Sequence, residues 1–186
     1  VTFQTISPFA EASQDFWKMG GNQEGCFHTN EQANRLVKLL GRKLEERGLP
    51  TTVSAPDEWS VGESIEVYQS FDDKAKSVVS AISAHSYWGS LRDRYAFRDL
   101  VRSENKKAIM SETSERGGYE DDHVGMYGAL EMAWHLTTDI RDMGSHVWLW
   151  FEPVVNEQVN LDYNGNWGAI HAFYRGPKAG QYAINK

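Results

Sequence analysis

A chain of 186 residues, 40% of them hydrophobic, has the size and apolar content of one ordinary globular domain and not the composition of a disordered segment. Its net charge of -7 is spread along the sequence, with no basic stripe to track phosphates and no run of roughly eighteen apolar residues to cross a bilayer. Neither nucleic acid nor a membrane is therefore expected as a partner, and the lone Cys26 has no internal disulfide to form.

Val1 to Ile6 reads as a strand, followed over residues 10–28 by a loop rich in Gly, Asn, Gln and aromatics. A helix starts at Thr29, its N-cap, with Gln32 at capping-box spacing and Ala33, Leu36, Val37, Leu40 and Leu44 forming one apolar stripe. Gly48 and Pro50 end it. Thr51 to Ala55 reads as a short strand, and Pro56, Asp57, Glu58 and Trp59 as the loop at its far end. Residues 62–80 read as helical, with an interruption near Asp72 that caps the segment through Val78 and Val79.

Ala81 to His85 is the next strand, ending in Ser86-Tyr87-Trp88-Gly89, and Arg92 to Glu104 is a helix with Tyr95, Leu100 and Val101 inward. Lys107 to Ser111 is again a strand. Beyond the Gly117-Gly118 loop, Val124 to Met143 is a long helix with Tyr127, Leu130, Trp134 and Ile140 on one face, closed by Gly144. His146 to Phe151 is the last clear strand, and the chain stops at Lys186 without a closing element.

Strands alternating with helices at this spacing predict βα units and a parallel sheet, and functional residues at the strand ends favour a (β/α)8 TIM barrel over an open doubly wound sheet. No glycine-rich phosphate turn follows any strand, which argues against a nucleotide fold. Five strands do not close an eight-stranded barrel. Residues 1–186 are thus expected to be a partial barrel domain lacking the N-terminal strands and the last outer helix, with the missing part of the same barrel as its partner.

Glu11 and Glu112 each stand just beyond a short apolar, strand-like run, and Trp- and Tyr-rich strand ends lie between and after them. Glycoside hydrolysis needs one carboxyl to protonate the leaving oxygen and a second at the anomeric carbon, about 5 Å apart for retention and further apart for inversion. A polysaccharide or oligosaccharide is therefore the expected substrate, with no cofactor. Glu115, Glu120, Asp121, Asp122 and His123 form an acidic cluster whose spacing matches no standard metal site and reads as a solvated loop. No metal is expected, and no nucleophile elbow with Ser, His and Asp is present.

Residues Ile6 through Cys26, with Ser-Pro-Phe-x-Glu, Phe16-Trp17 and Gln23-Glu24-Gly25-Cys26, together with Ser83-Ala84-His85-Ser86-Tyr87-Trp88, Met110-Ser111-Glu112, His146-Val147-Trp148-Leu149-Trp150 and Asn164-Gly165-Asn166-Trp167-Gly168, resemble glycoside hydrolase family 30. The likeness is nearest to the endo-β-1,6-galactanase-like branch. It implies a retaining, usually secreted enzyme, with strands four to eight of the barrel in this chain, Glu11 matching the acid/base and Glu112 the nucleophile. Glu11 must then hold a proton near neutral pH while Glu112 stays ionised.

The chain departs from the family at Ala10-Glu11-Ala12, where Asn-Glu-Pro is usual, and at Phe151, where Gln often stands. The Asn normally binds the sugar 2-hydroxyl, and losing such a bond costs on the order of a few kcal/mol of barrier. The alternative is a noncatalytic or weakly active carbohydrate-binding relative.

His85 and Tyr87 end the strand-six match, placed to orient Glu112 or to donate to a sugar hydroxyl, with a structural histidine as the competing role. Trp150 is the expected stacking platform under a pyranose. Trp17, Trp59, Trp88 and Trp148 are further subsite candidates, with burial in the core as the other possibility for each.

Overall fold

The computed structural model describes residues 2–20, 25–114, 126–156, 170–174 and 176–184. Five strands, β1 (Thr5–Ile6), β2 (Thr52–Ser60), β3 (Val79–Trp88), β4 (Lys107–Glu112) and β5 (Val147–Trp148), pair in parallel in sequence order. Between them run α1 (Asn30–Glu46), α2 (Val61–Ser70), α3 (Asp73–Val78), α4 (Leu91–Ser103) and α5 (Met126–Arg141). This is the α/β architecture of half a (β/α)8 barrel, curled with its helices outside. Val37, Val53, Tyr68, Ile82, Phe97 and Met110 sit at the centre of the core between sheet and helices.

Local chemistry sets several of these boundaries. Thr29 caps α1 with a complete capping box: its side chain accepts from the Gln32 N–H, and the Gln32 side chain accepts from the Thr29 N–H. Thr29→Ala is expected to destabilise the chain by about 1 kcal/mol, a drop of roughly 2–4 °C in thermal unfolding. Asp72 caps α3 through the Ala75 N–H and also receives Lys38 from α1. Where α1 crosses α3 there is no room for a side chain, because a Cβ on Gly41 would lie 2.4 Å from Val78.

Three expectations are corrected, and the buried face of α5 is identified. Strand β2 does not stop at Ala55 but runs through Pro56, Asp57, Glu58 and Trp59 to Ser60. In α4 it is Arg94 and Phe97 that join Val101 inside, while Tyr95 is exposed. In α5 the apolar stripe of Tyr127, Leu130, Trp134 and Ile140 is the exposed one, and Gly128, His135, Thr138 and Asp139 are buried. The last stretch of chain holds a second sheet: β6 (Val154–Asn156) pairs in parallel with β7 (Ile170–Ala172), which pairs antiparallel with β8 (Tyr182–Ile184). Its strands of three residues are too short to show a period in the sequence. Glu24, the acidic cluster at 115–123 and Asn164 to Gly168 lie outside the described residues.

Two bulges at one level of the sheet prepare the mouth of the half-barrel. Pro56 pairs with Ser83 and Glu58 with Ala84, leaving Asp57 as the extra residue of β2. Ala84 pairs with Met110 and His85 with Glu112, leaving Ser111 as the extra residue of β4. The two inserted residues bond each other, Ser111 Oγ donating to Asp57 Oδ1. A bulge turns the strand and re-aims its side chains, so both strands bend together just before their functional ends.

Candidate active site

Glu11 follows β1 on a tight turn with φ of +50°, a conformation that costs a non-glycine residue about 1–2 kcal/mol. Backbone bonds hold it there: the Glu11 N–H donates to the Asp57 carbonyl at 2.9 Å, and the Gln14 N–H donates back to the Glu11 carbonyl at 3.1 Å. Asp57 is itself left-handed, with φ of +67°, so the bulge of β2 is what presents that carbonyl.

His85 and Tyr87 are two apart on β3 and therefore point to the same face. Register sets His85 beside Glu112, the last residue of β4. His85 is almost fully buried, with Nδ1 at 2.9 Å from Glu11 Oε1 and Nε2 at 3.8 Å from Glu112 Oε2. Tyr87 donates its hydroxyl to Glu112 Oε1 at 2.9 Å. Carboxylate oxygens of Glu11 and Glu112 come within 4.8 Å of each other. Two carboxyls this close can both reach one atom set between them.

The electrostatics follow from burial and from this single imidazole. Burial raises the Glu112 carboxyl above its ordinary range, while the His85 charge and the Tyr87 hydrogen bond pull it down. For His85, burial alone would favour the neutral ring, but the bond to Glu11 and the charges of Asp57, Glu112 and Glu11 outweigh it and raise its value. Tyr87 is raised by burial and by Glu112, so it stays a donor.

Among the described residues, Glu11, His85 and Glu112 are the one group of potential metal ligands. His85, however, offers opposite ring nitrogens to the two carboxylates. A cation shared by all three would need both carboxylates on one nitrogen's side, whereas the observed geometry serves hydrogen bonding and proton transfer.

Of the predicted aromatic residues, Trp59 and Trp88 pair across the ends of β2 and β3 with ring centroids 5.9 Å apart, Trp88 being half-exposed. Trp150 stands 5.7 Å from Trp148, whose indole N–H donates to buried Asp139. Trp17 packs on Phe16 and so closely on Gly25 that a Cβ there would lie 2.1 Å from the Trp17 Cβ.

No family model matches the sequence, and no curated protein matches it. The chain is similar in structure to a conserved exported protein from Bacteroides fragilis, at TM-score 0.70 and 16% identity over 97% of this chain and 43% of that one. It is equally similar to an endo-β1,6-glucanase, at TM-score 0.70 and 17% identity over 100% of this chain and 41% of that one. A third match, at TM-score 0.63 and 11% identity over 100% of this chain and 39% of the other, is the catalytic domain of a family 30 xylanase from Talaromyces cellulolyticus. The chain shares its partial barrel fold with these structures. It spans about two fifths of their length.

The neighbourhood of the two glutamates also holds residues that sequence reasoning missed. Besides Asp57 and Ser111 these are Ser13, Gln14, Glu58 and Glu63. Ser13 Oγ lies 2.7 Å from Glu58 Oε2 and 2.7 Å from Glu63 Oε1, and the Ser13 N–H donates to Glu58. Glu58 is buried, and that burial pushes its carboxyl up to about 7 against the pull of the Ser13 bonds. Pro56 hid this group by reading as a strand stop. The available signal was the pair of acids placed directly after an apolar strand.

Proposed function

We propose that the chain forms the catalytic half of a retaining β-glycosidase acting by double displacement, with a β-1,6-linked galactan as the favoured substrate. The single observation that carries this reading is the approach of Glu11 and Glu112 to within 4.8 Å, joined by His85 and steadied by Tyr87. Glu112 attacks the anomeric carbon and the glycosidic C–O bond breaks, as Glu11 passes its proton to the departing oxygen. Glu11 then takes a proton from water, whose oxygen displaces Glu112 and frees the sugar. The Nδ1 of His85 lies within hydrogen-bond reach of Glu11 and holds its carboxyl in place. Trp17, Trp59, Trp88 and Trp150 supply apolar ring surface for neighbouring sugars. Similarity to an endo-β1,6-glucanase supports the linkage, and similarity to an exported protein supports secretion. β1 and β5 are the outer strands of the sheet, and the remaining strands of a complete barrel would pair with them.

One observation favours a second reading, a carbohydrate-binding relative with little or no turnover. Ala10 is exposed and Ala12 buried on either side of Glu11, so neither supplies a hydrogen bond where the family usually has Asn. An activated 2-fluoroglycoside separates the two. Covalent labelling, mapped to Glu112 by peptide mass spectrometry, is the expected result, while glycan binding without a label favours the binder.

A further inference from the structure

We infer that Glu58 is a positioning residue for Glu11: it keeps a proton, donates it in a hydrogen bond to Ser13, and so fastens the turn that carries Glu11 onto strand β2. The catalytic meaning of this clamp rests on the reading of Glu11 as acid/base, but the clamp itself does not.

One hydroxyl hydrogen stands between two carboxyls. Ser13 Oγ is 2.7 Å from a carboxyl oxygen of Glu58 and 2.7 Å from one of Glu63. A hydroxyl carries one hydrogen, so it satisfies one of these contacts as donor, and the other needs a proton on the carboxyl. Gln14 Nε2 lies 3.0 and 2.9 Å from the two oxygens of Glu63 and 2.9 Å from Ser13 Oγ, while the Ser13 N–H lies 3.2 Å from Glu58 Oε2, so each carboxyl has a neighbouring donor and burial decides between them. Glu58 is the more deeply buried of the pair, where the charged form is disfavoured. The chain of bonds therefore runs from the Glu58 carboxyl to Ser13 Oγ and from the Ser13 hydroxyl to Glu63. Ser13 and Gln14 complete the left-handed turn at Glu11, so this chain of bonds adds to the backbone bonds that hold the turn.

The charged groups facing Glu58 are Glu63 from α2, which raises its carboxyl further, and His85 from β3, which opposes the rise. Because the folded value of about 7 lies above the ordinary 4.5, the clamp is fully present below about pH 4.5 and is lost as pH rises through about 7. Once Glu58 ionises, one hydroxyl hydrogen faces two carboxylates and the turn loosens.

The test is amide hydrogen exchange in the full chain, as wild type, Glu58→Gln and Ser13→Ala, with rates corrected for intrinsic exchange. Wild-type protection of the Glu11 and Gln14 amides is expected to fall about tenfold or more between pH 6 and pH 8. In Glu58→Gln the amide replaces the protonated acid as donor to Ser13, and the change is expected to stay within about twofold. Ser13→Ala lacks the link and is expected to show low protection at both pH values. Equal pH dependence in wild type and Glu58→Gln, or full protection in Ser13→Ala, overturns the proposal. The catalytic arm compares aryl β-1,6-galactobiosides. Loss of Ser13 is expected to lower the rate ratio of phenyl to dinitrophenyl leaving groups about fivefold or more, because only phenolate release needs the Glu11 proton. A merely structural defect lowers both rates together and leaves the ratio unchanged, which contradicts positioning. This arm uses the complete enzyme: a wild type that cleaves neither compound sinks the hydrolase reading, while the exchange result still decides the clamp.

Discussion

Glu112→Ala in the complete enzyme is expected to lose about four orders of magnitude or more in kcat/KM on a β-glycan, a barrier rise of about 5 kcal/mol. Neither of its two described neighbours can replace it: Tyr87, which donates to its oxygen at 2.9 Å, is held in the protonated form, and Glu11 is engaged by His85. The shortened side chain leaves room for a small anion, so azide is expected to restore cleavage of an activated aryl glycoside and to give a glycosyl azide of inverted configuration. Glu11→Ala is expected to behave oppositely. It should spare substrates with good leaving groups, and azide should return a product of retained configuration by trapping the glycosyl-enzyme. Chiral analysis of the two azides distinguishes the roles. Identical products from both variants would show that the carboxyls do not divide the work as nucleophile and acid/base.

Much of the frame was legible because helical period, capping and turn residues agree with one another. Thr29, Gln32 and Gly48 delimit α1 in the sequence as they do in the structure, and Asp72 marks the break between α2 and α3. The strand-end positions of Glu11, His85, Tyr87 and Glu112 were legible for the same reason. What escaped depends on register, which no single strand reveals. The bulges at Asp57 and Ser111 exist only as mismatches between neighbouring strands, so neither residue stood out and Pro56 misleadingly closed β2. In α5 the apolar period marks one face but not its direction, because the face buried in this chain is polar, with Asp139 and His135 bonded to other elements. Tertiary hydrogen bonding outweighs periodicity when the buried polar groups are fully paired.

That buried polar face leads to the second large effect. Asp139→Ala is expected to destabilise the chain by about 3–5 kcal/mol, lowering the thermal midpoint by roughly 10 °C. Asp139 is fully buried and accepts from three elements at once: Arg94 Nε of α4 at 2.8 Å, Ser86 Oγ of β3 at 2.7 Å and Trp148 Nε1 of β5 at 3.2 Å. Arg94 is fully buried too, its guanidinium also donating to the Gly89 carbonyl and lying over the Trp134 ring. Removing the carboxylate leaves a buried guanidinium charge uncompensated, and that penalty, rather than the net worth of the ion pair, sets the magnitude. Replacing Arg94 and Asp139 together by Met and Leu is therefore expected to recover most of the loss, and a double-mutant cycle read by chemical denaturation measures the coupling. Ser86 sits between His85 and Tyr87 and loses its Asp139 acceptor in both the single and the double variant, so both should also misplace the pair that holds Glu112. If Asp139→Ala costs under about 1 kcal/mol, the buried face of α5 is not anchored by this network, and its inversion relative to the apolar stripe needs another cause.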